Sequence, residues 1–260
     1  MSFKPFDLTG KVALITGGNG GIGLGMAEGL AASGAKVAVW GLNPEKNAAA
    51  EARLKAYGGD VLVQRVDVAD EAAVVAGVAD VLNTMGRLDF VAANAGIGGG
   101  APSFSEFTTE QWRRVTTVNL DAVFWTFREA CKHMVARAQA GDLGGSLLAT
   151  SSTSAIHGAP HNQAYASTKG AVISMIRGIA VEHARHGIRA NAVLPGWIRS
   201  DMTAGLQGWD TFNERVISRV PMRRWGEPDD FAGLAVYLAS EASRFHTGDS
   251  FVIDGGYTIF

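Results

Sequence analysis

The chain has 260 residues, 47% of them hydrophobic, and 23 basic against 25 acidic side chains leave a formal charge of −2. That is enough apolar material for one substantial core, while charge so balanced and interspersed offers no broad basic face for nucleic acid and no polybasic patch for a membrane. No apolar run approaches the ~18 residues that span a bilayer, the single cysteine excludes an intrachain disulfide, and the polar opening lacks a signal-peptide layout, so a cytoplasmic protein with a small-molecule partner is expected.

In chain order, β-branched apolar runs at 11–16, 35–40, 61–68, 88–96, 146–152, 188–196 and 250–256 read as seven strands, and amphipathic segments at 22–33, 44–57, 71–85, 109–139, 162–186 and 228–240 read as helices between them. Nearly continuous apolar runs suit strands covered on both faces. Their alternation with helices predicts one α/β domain over 1–260, a doubly wound parallel sheet of about seven strands with helices on both faces. The segment at about 197–220 breaks the rhythm, with weak periodicity; in such a fold it lies over the carboxyl ends of the strands, where ligands bind, and it is the candidate substrate lid.

The stretch TGGNGGIG, 16–23, follows the first strand and opens the first helix. Glycines there let the backbone turn tightly and approach a pyrophosphate, whose charge the free N–H groups and helix dipole attract. With its Thr-Gly-x-x-x-Gly-x-Gly spacing the chain resembles the short-chain dehydrogenase/reductase family, in its single-domain, Rossmann-type branch. The resemblance continues through Asp67-Val68, the NAG at 94–96, Asn119, Ser152 thirteen residues before Tyr165, the YASTK at 165–169, Pro195-Gly196 and the DGG at 254–256, in the family's order over nearly the whole chain.

Tyr165 and Lys169 are four apart, which stacks them on one helix face. A free phenol, with a pKa of about 10, is a poor base at neutral pH. A unit charge about 4 Å away at an effective dielectric of about 20 contributes on the order of 4 kcal/mol, or about three pKa units, so Lys169 is expected to bring the phenol towards 7, where general acid/base catalysis works well.

The resemblance implies the remaining roles. Tyr165 would protonate a carbonyl oxygen as hydride arrives, or take the hydroxyl proton in reverse. Ser152 would hold the same oxygen, with Ser151 the structural serine, and Lys169 would also hold the nicotinamide ribose. Asn119 would anchor a water that relays protons, the alternative being a polar helix residue satisfying a backbone group. Gly17, Asn19, Gly21, Ile22 and Gly23 would surround the pyrophosphate. Asp67 and Val68 would meet the adenine, Asn94, Ala95 and Gly96 would line the adenosine side, and Pro195, Gly196, Ile198 and Ser200 would cover the nicotinamide. Ala93 stands where many members have a further asparagine, and Ser200 where threonine is common.

The end of the second strand decides between NADP(H) and NAD(H). A carboxylate there grips the ribose 2′-OH of NAD, and arginine accommodates the 2′-phosphate of NADP. Gly41 and Leu42 supply neither, and Lys46, one turn on, either reaches a phosphate or is simply solvated; the reading leans towards NADP(H). His157, Trp197, Met202 and Leu206 are candidate walls of a substrate pocket, and few charges precede Asp210 in the lid, which suggests a neutral or partly apolar carbonyl or secondary alcohol. His183 and His186 lack a third ligand, so no metal is expected. Cys131 falls in a helical pattern and reads as a buried, inert thiol. The basic clusters at 112–114 and 223–225 read as solvated faces or subunit contacts rather than a nucleic-acid footprint.

The expected activity is therefore an NAD(P)(H)-dependent alcohol dehydrogenase or ketoreductase. The rival is a non-catalytic cofactor-binding regulator or scaffold on the same fold, since activity resides in the site and not in the fold. The resemblance also implies a homotetramer (or homodimer), to which the apolar ending GGYTIF, 255–260, would contribute.

Overall fold

A computed structural model describes residues 4–260; the first three residues of the polar opening lie outside it. Strands β1 (Val12–Thr16), β2 (Lys36–Trp40), β3 (Val61–Gln64), β4 (Phe90–Ala93), β5 (Gly145–Thr150), β6 (Ile188–Pro195) and β7 (Ser250–Ile253) form one sheet in the order β3-β2-β1-β4-β5-β6-β7. Every neighbouring pair is parallel; Leu14 of β1, for instance, faces Ala38 of β2 on one side and Val91 of β4 on the other.

Between the strands run α1 (Gly21–Ala32), α2 (Pro44–Lys55), α3 (Glu71–Met85), α4 (Thr109–Thr116), α5 (Ala122–Gln139), α6 (Gln163–His183), α7 (Ala204–Gln207), α8 (Asp210–Ile217) and α9 (Ala232–Ala239). Side chains of a strand alternate between its faces, and both faces of the inner strands are apolar, so these strands feed two cores. Val12 and Leu14 pack with Val78 of α3, Phe127 of α5 and Ile176 of α6. Ala13 and Ile15 pack with Leu30 of α1, Leu54 of α2 and Leu238 of α9. No helix among the described residues is long and apolar enough to cross a membrane.

The structure corrects several boundaries. β3 and β4 stop short of the predicted 68 and 96 because the chain turns out of the sheet. Asp67 bends it by accepting the Ala69 N–H at 2.9 Å, and Asn94 and Ala95 donate their N–H groups to the Thr16 hydroxyl, each at 3.0 Å. The helix predicted over 109–139 contains a π turn, Thr117–Asp121, between α4 and α5. In the segment 197–220, weak periodicity conceals two short helices, α7 and α8, which are ordered by tertiary packing: Trp197 meets Phe212 of α8 edge-on at 5.0 Å and Trp225 at 6.2 Å.

Candidate active site

The strand order reverses between β1 and β4, and the crevice at the carboxyl ends of these two strands is where doubly wound sheets bind ligands. β1 ends at Thr16 and α1 begins at Gly21, with no side-chain cap at Gly20 and no acidic residue in the first helical turn. Its first N–H groups are therefore left for an anion. A Cβ on Gly23 would overlap the Gly17 carbonyl and the Asn94 amide, so only glycine lets the helix close onto this turn. Asn94 braces the crevice. Its amide donates to the carbonyls of Thr16 (3.2 Å) and Gly17 (3.3 Å), and its oxygen accepts the Thr150 hydroxyl at 3.1 Å. Ala93 is buried within β4, 3% exposed. An uncapped, glycine-lined helix start fits a dinucleotide pyrophosphate.

Beside it, the Asn19 amide donates to Asn47 Oδ1 at 2.7 Å, and Asn47 in turn donates to the Gly41 carbonyl at 3.0 Å. Any Cβ at Gly41 would overlap both asparagine side chains, so this backbone has no room for a carboxylate-bearing residue there. Leu42 is exposed. Lys46, read as either a phosphate ligand or a solvated cation, is exposed, and its ammonium pairs with Asp201, at the start of the lid segment. Arg65, which the motif reading missed, extends its Nε to the Leu42 carbonyl at 3.4 Å and sets a guanidinium at the end of β2. Its one sequence signal is its place two residues before Asp67. On the other side, the Gly196 N–H bonds the Ile253 carbonyl (2.9 Å), Ile198 is buried, and Ser200 comes so close to the glycine turn that a Cβ on Gly21 would stand 3.3 Å from it. Pro195 to Ser200 thus arch towards the start of α1.

At the carboxyl end of β5 the two serines separate by role. Ser151 is buried and donates to the Lys169 carbonyl at 2.7 Å, a link between strand and helix. Ser152 accepts the Ser154 N–H at 3.2 Å, and its hydroxyl stands near enough to the Tyr165 phenol to oppose the effect of burial on it. Tyr165, half-buried, and Lys169, buried, lie one turn apart on α6. The Lys169 ammonium donates to the Thr150 carbonyl at 2.7 Å and lies 5.4 Å from the centre of the Tyr165 ring. Gly96 sits against the same cluster, since a Cβ there would stand 3.3 Å from Asn119 Oδ1 and 3.5 Å from Lys169 Nζ.

The electrostatics correct the expectation that lysine brings the phenol towards 7. Burial pushes the Tyr165 phenol up, with the nearby Ser152 hydroxyl opposing it, and burial draws the Lys169 ammonium down to about 8. Desolvation disfavours whichever form is charged, so both groups move towards neutrality; one N–H of the ammonium goes to Thr150, and none bonds the phenol directly. Asn119, fully buried in the π turn, accepts the Ile97 N–H and donates to the Ile97 carbonyl, both at 2.9 Å. This is the backbone-satisfying alternative.

Of the expected pocket walls, His157 and Trp197 meet through Tyr257, with ring centres 5.9 and 6.3 Å from it. Met202 is exposed and Leu206 half-buried on α7. Tyr257 and Arg219, whose guanidinium lies 4.9 Å over the Tyr257 ring, were not singled out from the sequence; no local pattern joins residues 38 positions apart. Elsewhere, burial pushes the Cys131 thiol up to about 12, and among the described residues no three His, Cys, Asp or Glu side chains are grouped to hold a metal. In the basic clusters, Arg224 pairs with Asp230 at 2.6 Å and Trp225 is buried, whereas Trp112 is exposed.

A family model described as "Enoyl-(Acyl carrier protein) reductase" matches residues 17–258. The gluconate 5-dehydrogenase of Gluconobacter oxydans is 35% identical over 254 residues, 98% of this chain and 97% of the relative. Among solved structures, a short-chain type dehydrogenase/reductase from Mycobacterium marinum superposes with a TM-score of 0.91 at 34% identity, covering 98% of each chain. A gluconate 5-dehydrogenase from Burkholderia cenocepacia in complex with NADP and tartrate does so with a TM-score of 0.91 at 35% identity, covering 99% of this chain and 98% of that one.

Proposed function

The chain belongs to the short-chain dehydrogenase/reductase family, and on that premise we propose that it interconverts a secondary alcohol and a ketone by hydride transfer with NADP(H) or NAD(H), using Tyr165 as general acid/base. The observation that carries this reading is the meeting of Ser152, Tyr165 and Lys169 at the carboxyl end of β5, next to the uncapped start of α1.

The nicotinamide coenzyme, when bound, supplies or accepts the hydride. Gly17, Asn19, Gly21, Ile22 and Gly23 hold its pyrophosphate, and Asp67, Val68 and Asn94 to Gly96 hold its adenosine end. Pro195, Gly196, Ile198 and Ser200 cover the nicotinamide end, and Lys169 holds the ribose beside it. A phenol whose pKa burial has raised is protonated at neutral pH, so Tyr165 stands ready to donate its proton to a carbonyl oxygen held by Ser152. Lys169, with its pKa drawn down to about 8, is still mostly charged there and favours the oxyanion side of that transfer. Asn119, whose side chain bridges the Ile97 main chain and keeps a second amide N–H, anchors a water that relays protons. The segment 197–220 acts as the lid that excludes water.

NADP(H) is the preferred coenzyme in this reading. Gly41 leaves no room for a carboxylate that would repel a 2′-phosphate, and Arg65 offers a guanidinium at the same strand end; the NADP-bound relative supports this. A pure binding protein would have no use for a hydroxyl aimed at Tyr165, which disfavours the regulator reading. The exposed Phe124, Val181, Phe245, Ile259 and Phe260 support assembly as a homotetramer, and the lone buried Cys131 suits the cytosol.

The test is a fluorescence titration with NADPH and NADH, followed by a screen of ketones and secondary alcohols with the tighter binder. NADPH is expected to bind more tightly and to be oxidised by at least one ketone. Failure of both nucleotides to bind sinks the reading.

A further inference from the structure

We propose that the cleft between the Ser152 loop and the carboxyl terminus is the subsite for a substrate carboxylate, with Arg219 as its ligand. This names the substrate class for the alcohol/ketone reaction proposed above, and rests on that reading.

The cleft has a volume of about 300 Å³, at the lower end of small-molecule sites, which run from about 300 to 1,000 Å³. Ile156, His157 and Gly158 form one wall, and Arg219, Tyr257 and Phe260 the other. The first wall belongs to the stretch that begins at Ser152, since the His157 and Ile156 N–H groups both bond the Thr153 carbonyl, in the short 3-10 turn that Ser152 caps. Opposite it, Tyr257 also touches Trp197, one residue beyond the Pro195-Gly196 arch. The cleft therefore lies between the stretch that follows Ser152 and the turn that packs Tyr257 against Trp197.

Arg219 is the one cation of this wall. Among the described residues the ion pairs engage Arg53, Arg87, Arg128, Arg137, Arg199 and Arg224 but not Arg219, and none joins it to the terminal carboxylate of Phe260. Its neighbours along the chain are spoken for: Arg223 donates to the Ser218 carbonyl and Arg224 pairs with Asp230. Asp254, three residues before Tyr257, is engaged elsewhere, its oxygens accepting from the Gly256 N–H, the Thr258 N–H and the Thr258 hydroxyl at 2.7–2.8 Å. That carboxylate builds the turn carrying Tyr257. The exposed Arg219 guanidinium lies 4.9 Å over the Tyr257 ring, at the mouth of the cleft, with none of its N–H groups bonded to the described residues. A guanidinium with no acid of its own matches the two oxygens of a carboxylate. His157 also lines the cleft; its Nδ1 donates to the Gly158 carbonyl at 3.2 Å, which in the neutral ring leaves Nε2 as an acceptor for a substrate hydroxyl. The neutral substrate expected from the scarcity of charge before Asp210 thus gives way to a hydroxy or keto acid.

The test uses the full chain, with and without its preferred coenzyme, titrated calorimetrically with D-gluconate and (R)-3-hydroxybutyrate as acids and with D-glucitol and 2-butanol as matched neutral alcohols. Wild type is expected to bind at least one acid about tenfold more tightly than its neutral counterpart. Arg219→Gln should abolish that difference, raising the acid's Kd about tenfold while leaving the neutral alcohol, the coenzyme Kd and the thermal midpoint unchanged. In turnover the loss should fall on KM and spare kcat. Arg219→Lys, which keeps the charge without the fork, should recover part of the difference. No saturable binding of either acid by wild type, or equal acid affinity in Arg219→Gln, overturns the subsite. Turnover of neutral ketones alone overturns it too while leaving the proposed reaction standing; failure of coenzyme binding, read in a separate titration, sinks the reaction instead.

Discussion

The Lys169 ammonium donates to the Thr150 carbonyl across 2.7 Å, from a site where the side chain is almost wholly removed from water. Its pKa is drawn from 10.5 down to about 8 by that burial. Between about 8 and 10.5 the unfolded chain therefore holds a proton that the native chain lacks, and Lys169 makes stability rise with pH across this window. Below it the full cost, on the order of 3 kcal/mol, is present. Lys169→Met removes the titration. Denaturant unfolding at several pH values should show the stability of wild type relative to Lys169→Met lowest below about pH 8 and climbing towards 10.5; a gap independent of pH refutes the assignment.

Tyr165→Phe keeps the ring and removes the proton. Ser152 retains its bond from the Ser154 N–H, so the pocket is not left with an unpartnered hydroxyl. Turnover should fall by about 10²–10⁴, the usual contribution of a positioned acid or base, with the Kd of NADPH within about twofold. Near-normal kcat in this variant would remove Tyr165 from the reaction.

Asn119 holds Ile97 by both main-chain groups, next to Gly96 and Lys169. Asn119→Ala leaves one donor and one acceptor without partners and should cost about 1–3 kcal/mol of stability, seen as a lowered midpoint in urea. Asn119→Asp, which keeps the acceptor for the Ile97 N–H, should fall between alanine and wild type on denaturation at a pH low enough to protonate it. Equal midpoints for alanine and wild type would mean that water replaces the amide without loss.

Arg65 bears on coenzyme choice. Arg65→Gln should weaken NADPH about tenfold, the worth of one charged hydrogen bond of about 1.4 kcal/mol, and leave NADH unchanged. Parallel fluorescence titrations measure both, and an equal loss for the two nucleotides would assign Arg65 to the folding of the Leu42 turn instead.

Much of the site is legible along the chain because it is built from short-range geometry. A four-residue spacing puts Tyr165 and Lys169 on one face of α6, and the glycine spacing after β1 predicts a tight turn into an uncapped helix. Nearly continuous apolar runs mark strands buried on both faces. The boundaries that differ, at β3, β4 and the π turn, lie where hydrogen bonds from Asp67, Asn94 and Asn119 compete with the regular ladders, and apolar periodicity carries no record of such bonds.

The sequence by itself determined the alternation of strands with the longer helices, the family, and the spacing that sets Tyr165 and Lys169 on one helix face, since each depends on residues a few places apart. Only the tertiary structure decided that burial raises the phenol's pKa, that Lys46 answers to Asp201 155 positions away, and that Arg219 comes to rest over Tyr257 without an ion-pair partner among the described residues. The reason is physical: desolvation and ion pairing act through space, and the distances they depend on exist only once the sheet, the lid helices and the carboxyl-terminal turn have packed together.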